Sequence, residues 1–241
     1  MNKEFENKII NSIMEELSEE FHENLISGKL YESAILVMIN YEKNEALLKD
    51  MVHKRFMEFA IVPKWKSMSL NVGGTCYVSI SNALAERFDI DVDELFHEAY
   101  NNTLKKQGFE VFAVNPLYSD SAEEFIEDLL RSPFVPEEQL QEESEYWDYL
   151  YLITNRRLEY GAVSLYIKEI LHKAYKKYGR SFYIIPSSVH ELLIFFDVPY
   201  IGLDGVKHLL NHVNTEMLNF NEALSDNIYF YDGEKGEVSL I

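Results

Sequence analysis

Apolar residues recur along this chain at two spacings, which predict helices and strands respectively. From Phe5 to Phe21 an apolar residue returns every four positions with glutamates between, a pattern typical of an amphipathic helix with one buried side. Helical periodicity, capping-box residues and terminal glycines also predict helices over Asp91 to Gly108, Ser121 to Arg131, Gly161 to Gly179 and Asp204 to Leu218.

Short apolar runs bounded by turn residues predict strands between these helices. The runs are Phe59 to Trp65, Thr75 to Ile80, Phe109 to Val114, Tyr146 to Thr154, two runs within Ser181 to Phe196, Asn227 to Tyr231 and Glu237 to Ile241. Paired strands mixed with helices predict an α+β fold, with a mixed or mostly antiparallel sheet and helices packed against it. We expect one domain over residues 1–241; a division near residues 115–145 is the alternative but is not required.

Charge narrows the classes of partner. The chain has 41 acidic and 22 basic residues, a formal net charge of -19. A charge of this sign and size repels phosphate backbones and anionic lipid, so we expect neither direct nucleic-acid binding nor membrane binding. The net charge is more consistent with a protein partner that has a basic surface than with nucleic acid or anionic lipid. The alternative interpretation is that the carboxylates only keep the protein soluble.

The acidic residues are concentrated in one segment. We call Ser119 to Tyr149 the acidic stretch, because it holds eleven carboxylates against Arg131 alone, a local balance of -10. The carboxylates proposed to contact a partner are Glu123, Glu124, Glu127, Asp128, Glu137, Glu138, Glu142, Glu143 and Glu145. Leu150 to Arg180 follows with a balance of +5, and such neighbouring blocks can also attract each other within the fold.

The compartment is predicted from what the sequence lacks. Cys76 is the single cysteine, which excludes an intramolecular disulfide and fits a reducing environment. No apolar run reaches the roughly 18 residues of a membrane span, and the amino terminus does not resemble a secretion signal. We therefore expect a cytoplasmic protein.

One short segment gathers residue types used in catalysis. Ser187, Ser188, His190 and Glu191 lie between the two apolar runs of Ser181 to Phe196. A serine activated by the imidazole would make this segment the centre of a hydrolase. The glycine-flanked nucleophile elbow is absent, however, and serines after a proline commonly bond the backbone of a turn. A structural turn is therefore the competing interpretation.

A pair of histidines suggests a metal site as a further hypothesis. His208 and His212 are four residues apart on a predicted helix, which places them on one face in a geometry that can hold zinc. No clear third ligand accompanies them, although His190 and Glu191 could supply one. The glycine pair Gly73 and Gly74 lacks the lysine and spacing of a phosphate loop. We therefore expect no cofactor and commit to no metal site.

Several segments together resemble a known family over nearly the whole chain. They are Val37–Asn44, Leu47–Asp50, His53–Phe56, Phe59–Val62, Tyr151–Asn155, Gly161–Ala162, Ser181–Glu191 and Leu224–Asp232. The chain thereby resembles a bacterial family catalogued as domain of unknown function 5688. The resemblance implies one continuous unit from anaerobic gut bacteria, often within mobile elements. It implies no reaction, cofactor or catalytic residue.

The residues favour a non-enzymatic protein that binds another macromolecule through the acidic stretch. If the gene belongs to a mobile element, the sharper hypothesis is an inhibitor that occupies the basic groove of a nucleic-acid-handling enzyme, with carboxylates in place of phosphates. The alternative function is a hydrolase centred on Ser187, Ser188, His190 and Glu191, in a metal-assisted form if His208 and His212 contribute.

Overall fold

The computed structural model describes residues 19–67, 76–116, 149–196, 202–216 and 223–241. Contacts group the chain into two compact units. The first unit comprises Met1–Leu36, Glu45–Lys54 and Ile61–Lys106, and the second comprises Val37–Asn44, Arg55–Ala60 and Gln107–Ile241. Within the described ranges the protein combines helices with two antiparallel sheets, which confirms the predicted α+β class.

Among the described residues, two helices have 15 residues and the others are shorter. They are α1 (Lys29–Ser33), α2 (Glu45–Leu48), α3 (Asn82–Arg87), α4 (Val92–Lys106), α5 (Lys168–Tyr178) and α6 (Gly202–Glu216). Residues 19–26 are also helical. Two 3₁₀-helices occupy Glu42–Asn44 and Gly161–Leu165.

The strands form one sheet of four and one sheet of six among the described residues. They are β1 (Ile35–Asn40), β2 (Lys54–Phe56), β3 (Phe59–Ser67), β4 (Cys76–Ser79), β5 (Phe109–Pro116), β6 (Tyr149–Asn155), β7 (Phe182–Ile185), β8 (Leu192–Phe195), β9 (Tyr229–Asp232) and β10 (Glu237–Leu240). In the smaller sheet the order is β1-β3-β2, and β4 also pairs with β3. In the larger sheet the order is β10-β9-β7-β8-β6-β5.

Helix α4 belongs to the first unit and begins as its sequence predicts. The Asp91 carboxylate accepts hydrogen bonds from the amides of Asp93 and Glu94, each at 3.0 Å, and so caps the helix. Its buried side includes Thr103, whose Oγ1 accepts from the Leu36 amide at 2.8 Å. A buried polar side chain therefore ties α4 to the start of β1.

In the second unit, helices cover both faces of the six-stranded sheet. Val206 and Leu210 of α6 pack against Ile185 and Phe195. Tyr178 of α5 instead contacts Tyr151 and Phe196, with ring centroids 5.3 and 4.8 Å apart. Successive residues of a strand point to opposite faces, so these two sets lie on opposite sides of the sheet. The two predicted apolar runs around residue 190 are β7 and β8, which pair antiparallel.

The predicted helix from Gly161 to Gly179 is interrupted, which corrects the sequence-based expectation. It consists of the 3₁₀-helix Gly161–Leu165 and then α5, with Ile167 in extended backbone between them. The Gly161 amide donates to the His190 carbonyl at 2.8 Å, so the first turn is held by a neighbouring segment. The apolar side of the predicted helix nevertheless remains buried, as at Val163 and Ile170.

Several predictions fall on residues that the structure does not describe. The predicted helix over Ser121 to Arg131 lies wholly outside the described residues. Most of the predicted helix over Phe5 to Phe21 and most of the acidic stretch lie outside them as well. No helix in the described ranges is both long enough and apolar enough to cross a lipid bilayer.

Candidate functional site

The segment that joins β7 to β8 holds the residues singled out as catalytic candidates. We call residues 187–191 the His190 corner. Ser188 Oγ donates to Glu191 Oε1 at 2.5 Å, and Ser187 Oγ donates to the same oxygen at 3.3 Å. Ser188 Oγ also accepts from the His190 amide at 3.0 Å. Both serines are buried, and the Ser188 hydroxyl bonds in the way that serine commonly stabilises a turn.

The His190 ring faces a different residue. Its Nδ1 accepts a hydrogen bond from the Tyr160 amide at 3.4 Å. The two rings stack with centroids 5.8 Å apart. Within the described ranges, no hydrogen bond joins either serine hydroxyl to this imidazole. The nucleophile-to-base contact that a serine hydrolase uses is therefore not formed here.

The backbone of His190 is held as closely as its ring. Its carbonyl accepts from Thr154 Oγ1 and from the Gly161 amide, both at 2.8 Å. A Cβ at Gly161 would lie 2.4 Å from that carbonyl oxygen and 2.4 Å from Thr154 Oγ1. Only glycine allows the three segments to approach this closely, because real Cβ contacts of that length do not occur. The corner is thus a junction of β6, the 3₁₀-helix and the β7–β8 connection.

The loop that carries Tyr160 has an unusual backbone. Leu158 and Tyr160 both have a φ of 56°, in the left-handed region that non-glycine residues rarely enter. Asn155 is buried beneath this loop, and its side chain accepts from the Arg157 amide at 2.9 Å and donates to the Glu159 carbonyl at 2.5 Å. These hydrogen bonds hold the backbone in a conformation that it would not adopt alone.

A second polar cluster was not identified from the sequence. We call Glu58, Ser225, Asn227 and Tyr229 the Glu58 cluster. Glu58 lies in the turn between β2 and β3, and its Oε1 accepts from Ser225 Oγ at 2.5 Å and from the Tyr229 hydroxyl. Asn227 Nδ2 lies 3.2 Å from both carboxylate oxygens. One carboxylate therefore binds three side chains from a single segment near the carboxyl-terminal end of the chain.

Burial controls the ionisation of Tyr229. Loss of solvent raises the pKa of its hydroxyl well above the usual range, and the neighbouring Glu58 carboxylate raises it further by hydrogen bonding and charge. The phenol therefore remains a neutral hydrogen-bond donor under ordinary conditions. The cluster binds a proton on Tyr229 firmly, so it is suited to holding structure together rather than to transferring protons near neutral pH.

The two clusters are joined through one short segment of backbone. The Leu224 amide donates to the Ser187 carbonyl at 3.1 Å, and Ser188 forms an isolated antiparallel bridge with Ala223. Asn40 Nδ2 donates to the Leu224 carbonyl at 2.7 Å. Residues 223–229 thus lie next to the His190 corner at one end and bind Glu58 at the other.

The segments that meet here are the ones that carry the family resemblance, and a direct comparison decides the family. Residues 3–233 match the family described as "Family of unknown function (DUF5688)". The chain belongs to this family. Comparison of this DUF5688 chain with curated proteins and with solved structures gave no match.

Most of the remaining candidates of this DUF5688 chain lie outside the described residues. His208 on α6 is exposed, and the His212 side chain lies outside the described residues. Among the residues described, no group of three or more His, Cys, Asp or Glu side chains could hold a metal ion. The proposed partner contacts Glu123, Glu124, Glu127, Asp128, Glu137, Glu138, Glu142, Glu143 and Glu145 also lie outside the described ranges.

The Glu58 cluster could not be found from spacing, because Glu58 and Tyr229 are 171 positions apart. The available signal was a single carboxylate between Met57 and Phe59, directly before a buried strand. A carboxylate at such a position needs hydrogen-bond donors from elsewhere in the fold. The sequence alone does not say which donors these are.

Proposed function

We propose that this protein is a non-enzymatic binding protein whose acidic stretch contacts a basic surface on another macromolecule. The observation that carries the proposal is the concentration of eleven carboxylates against Arg131 alone within Ser119 to Tyr149. A segment with this charge attracts a basic surface at short range and steers the encounter at longer range. The cytoplasm is the proposed location.

The geometry of the His190 corner supports binding over catalysis. Ser188 bonds Glu191 and the His190 amide, and the His190 ring accepts from a backbone amide. These residues already have partners that stabilise the fold, so none of them is poised as an activated nucleophile.

The finer form of the proposal is a mobile-element-encoded inhibitor of a nucleic-acid-handling enzyme. Carboxylates three or four residues apart on a helix are separated by about 5 to 6 Å at Cβ, which is close to the spacing of phosphates. Glu123 and Glu127 have this sequence spacing, as do Glu124 and Asp128. The acidic stretch would then occupy the basic groove that otherwise binds the nucleic-acid backbone.

The test is a binding assay with matched charge variants. One variant carries Glu→Gln at five positions of the acidic stretch: Glu137, Glu138, Glu142, Glu143 and Glu145. The control carries Glu→Gln at five exposed positions elsewhere: Glu23, Glu42, Glu86, Glu94 and Glu234. Both variants change the net charge equally, so only a specific role of the acidic stretch separates them.

Each protein is titrated into a panel of purified nucleases and polymerases with fluorescent duplex DNA already bound. We expect the native chain and the control variant to displace DNA from at least one enzyme, and the acidic-stretch variant to do so much less. In a pull-down without DNA, binding of the chain to that enzyme should vanish near 0.5 M salt, where the Debye length is about 4 Å. Equal displacement by the two variants, or a pull-down that survives that salt concentration, would contradict the proposal.

A further inference from the structure

Helix α5 presents a basic face although the chain as a whole is strongly acidic. Its apolar side is buried through Ile170, Leu171 and Ala174. The opposite side is exposed and carries four lysines, one histidine and one glutamate, which we call the α5 basic face: Lys168, Glu169, His172, Lys173, Lys176 and Lys177. The face therefore holds a cluster of positive charge on one rigid element.

The helix itself explains only part of this charge. Lys176 and Lys177 lie in the last turn, where cations stabilise the helix dipole. Lys168 is the first residue of the helix, where a positive charge is unfavourable. Lys173 lies four residues before Lys177, and like charges at this spacing also destabilise a helix.

Glu169 in the first turn, four residues before Lys173, offsets part of these costs. Lys168, Lys173 and Lys176 are exposed, and none of them forms a salt bridge or a hydrogen bond to another described residue. Their ammonium groups lie on a surface formed by one helix. An anion that binds across the face would offset the repulsion among them.

The dimensions of the face select among anions. The 11 residues of α5 span about 16 Å. Charges are screened over about 8 Å at physiological ionic strength, so a ligand of that length interacts mainly with the charges of α5 and of the residues directly beside it. A nucleic-acid strand or an anionic membrane extends far beyond 16 Å and meets carboxylates that repel it. Helix length and local charge together favour a short segment with closely spaced carboxylates.

We propose that the α5 basic face is a docking surface for a short Asp- and Glu-rich segment of a protein partner. Lysines provide mobile point charges that suit carboxylates in an extended or helical segment, without demanding a fixed geometry. This contact is separate from the acidic stretch and does not depend on the function proposed for that stretch. The chain would thus have two contact surfaces of opposite charge.

A fluorescein-labelled hexaglutamate peptide tests the surface directly by fluorescence anisotropy with the full chain. We expect binding at low ionic strength that weakens as salt is added. The variant Lys168→Gln, Lys173→Gln and Lys176→Gln should bind at least about tenfold more weakly, since each exposed ion pair contributes a factor of about two to five. Exposed lysines are removed, so circular dichroism should show an intact fold.

The matched control removes three exposed lysines from the first unit: Lys29→Gln, Lys49→Gln and Lys105→Gln. It changes the net charge equally and should leave the dissociation constant within about twofold. A labelled oligothymidine with the same number of charges should bind more weakly than the peptide. The proposal is overturned if the peptide does not bind, if both variants weaken it equally, or if the oligothymidine binds as tightly.

Discussion

In both the His190 corner and the Glu58 cluster, hydroxyl groups donate hydrogen bonds to a carboxylate. The two sites differ in how far apart the donor and acceptor residues are in the sequence. In the corner, Ser188 and Glu191 are three residues apart. In the cluster, Ser225 is 167 residues from Glu58. The first carboxylate shapes a turn, and the second holds a β-hairpin turn against a distant segment. The same kind of hydrogen bond therefore stabilises a local turn at the first site and a contact between distant segments at the second.

This difference shows that a run of potentially catalytic residue types in the sequence is weak evidence for a catalytic site. The corner attracted the catalytic hypothesis because its side chains are adjacent in sequence, and adjacency is also what a turn needs. The Glu58 cluster contains a buried phenol with a raised pKa and was not visible in the sequence. The following predictions test whether the two clusters differ in energy as they do in geometry.

The largest effect is expected at Gly161, which the His190 corner requires. Gly161→Ala would place a Cβ 2.4 Å from the His190 carbonyl oxygen, so the backbone must move, and we expect a loss of about 3 kcal/mol. Gly28→Ala is the control, because Gly28 has a positive φ but no atom within 4 Å of an added Cβ. It should cost only about 1 kcal/mol. Urea unfolding measures both, and equal losses would mean that the corner tolerates displacement.

Removal of each carboxylate compares the clusters directly. Glu58→Ala removes the carboxylate that accepts from Tyr229, Ser225 and Asn227, and we expect a loss of about 2 kcal/mol in unfolding free energy. Glu191→Ala should cost only about 1 kcal/mol, because the serine hydroxyls can rotate toward nearby backbone acceptors. A phenol at the end of a packed ring has no such freedom. If Glu191→Ala proves the more damaging, the corner is the stronger of the two clusters.

The Glu58 cluster, unlike the His190 corner, should make the stability of the protein depend on pH in the alkaline range. The pKa of Tyr229 is raised in the folded protein, so its contribution to stability is complete below the unfolded value of about 10. Above that pH the unfolded chain loses the proton while the folded protein retains it, and stability falls by up to about 1.4 kcal/mol per pH unit.

Tyr229→Phe removes the hydroxyl proton whose loss makes stability depend on pH. The slope of unfolding free energy against pH between about 10 and 12 should become shallower by nearly one proton relative to the native chain. Tyr231 also has a raised pKa but is present in both proteins, so the difference isolates Tyr229. Identical slopes would show that Tyr229 does not keep its proton as the structure requires.

The smallest effect concerns a feature that the two clusters share. Met57 beside Glu58 and Leu158 near His190 both have positive φ values, of 54° and 56°. Replacing either by glycine should raise stability by roughly 0.5 kcal/mol, since relief of strain slightly exceeds the added chain entropy. Leu47→Gly is the control, because Leu47 is an exposed residue of helix α2. This variant should lower the free energy of unfolding by about 1 kcal/mol. Thermal unfolding that shows a gain at only one position would mean that the two turns are strained unequally.

Elements with a complete local signal were predicted well from the sequence. Helix α4 has its capping aspartate, its buried residues and a glycine beyond its end, and it lies where those features predict. The hairpin of β9 and β10 is defined by glycines and apolar runs, and it forms as expected. Strand β1 was not identified, because Ile35 to Asn40 has no alternation of apolar and polar residues. A strand buried on both faces lacks that alternation.

The candidate site was predictable only in its local part. The turn between β7 and β8 and the structural use of its serines follow from residue types within five positions. The close approach of Gly161 to His190 depends on the pairing of β6 with β8, which no single segment specifies. The Glu58 cluster depends on contacts across most of the chain, and local periodicity carries no information about such contacts.

The separation of Glu58 from its partners also has a consequence in time. A ribosome adds about 5 to 20 residues per second, so the 171 positions between Glu58 and Tyr229 correspond to about 10 to 30 s of synthesis. During that interval the carboxylate must remain hydrated, and the turn that carries it has nothing to bind. The residues of the β2–β3 turn are therefore synthesised long before the segment that binds Glu58.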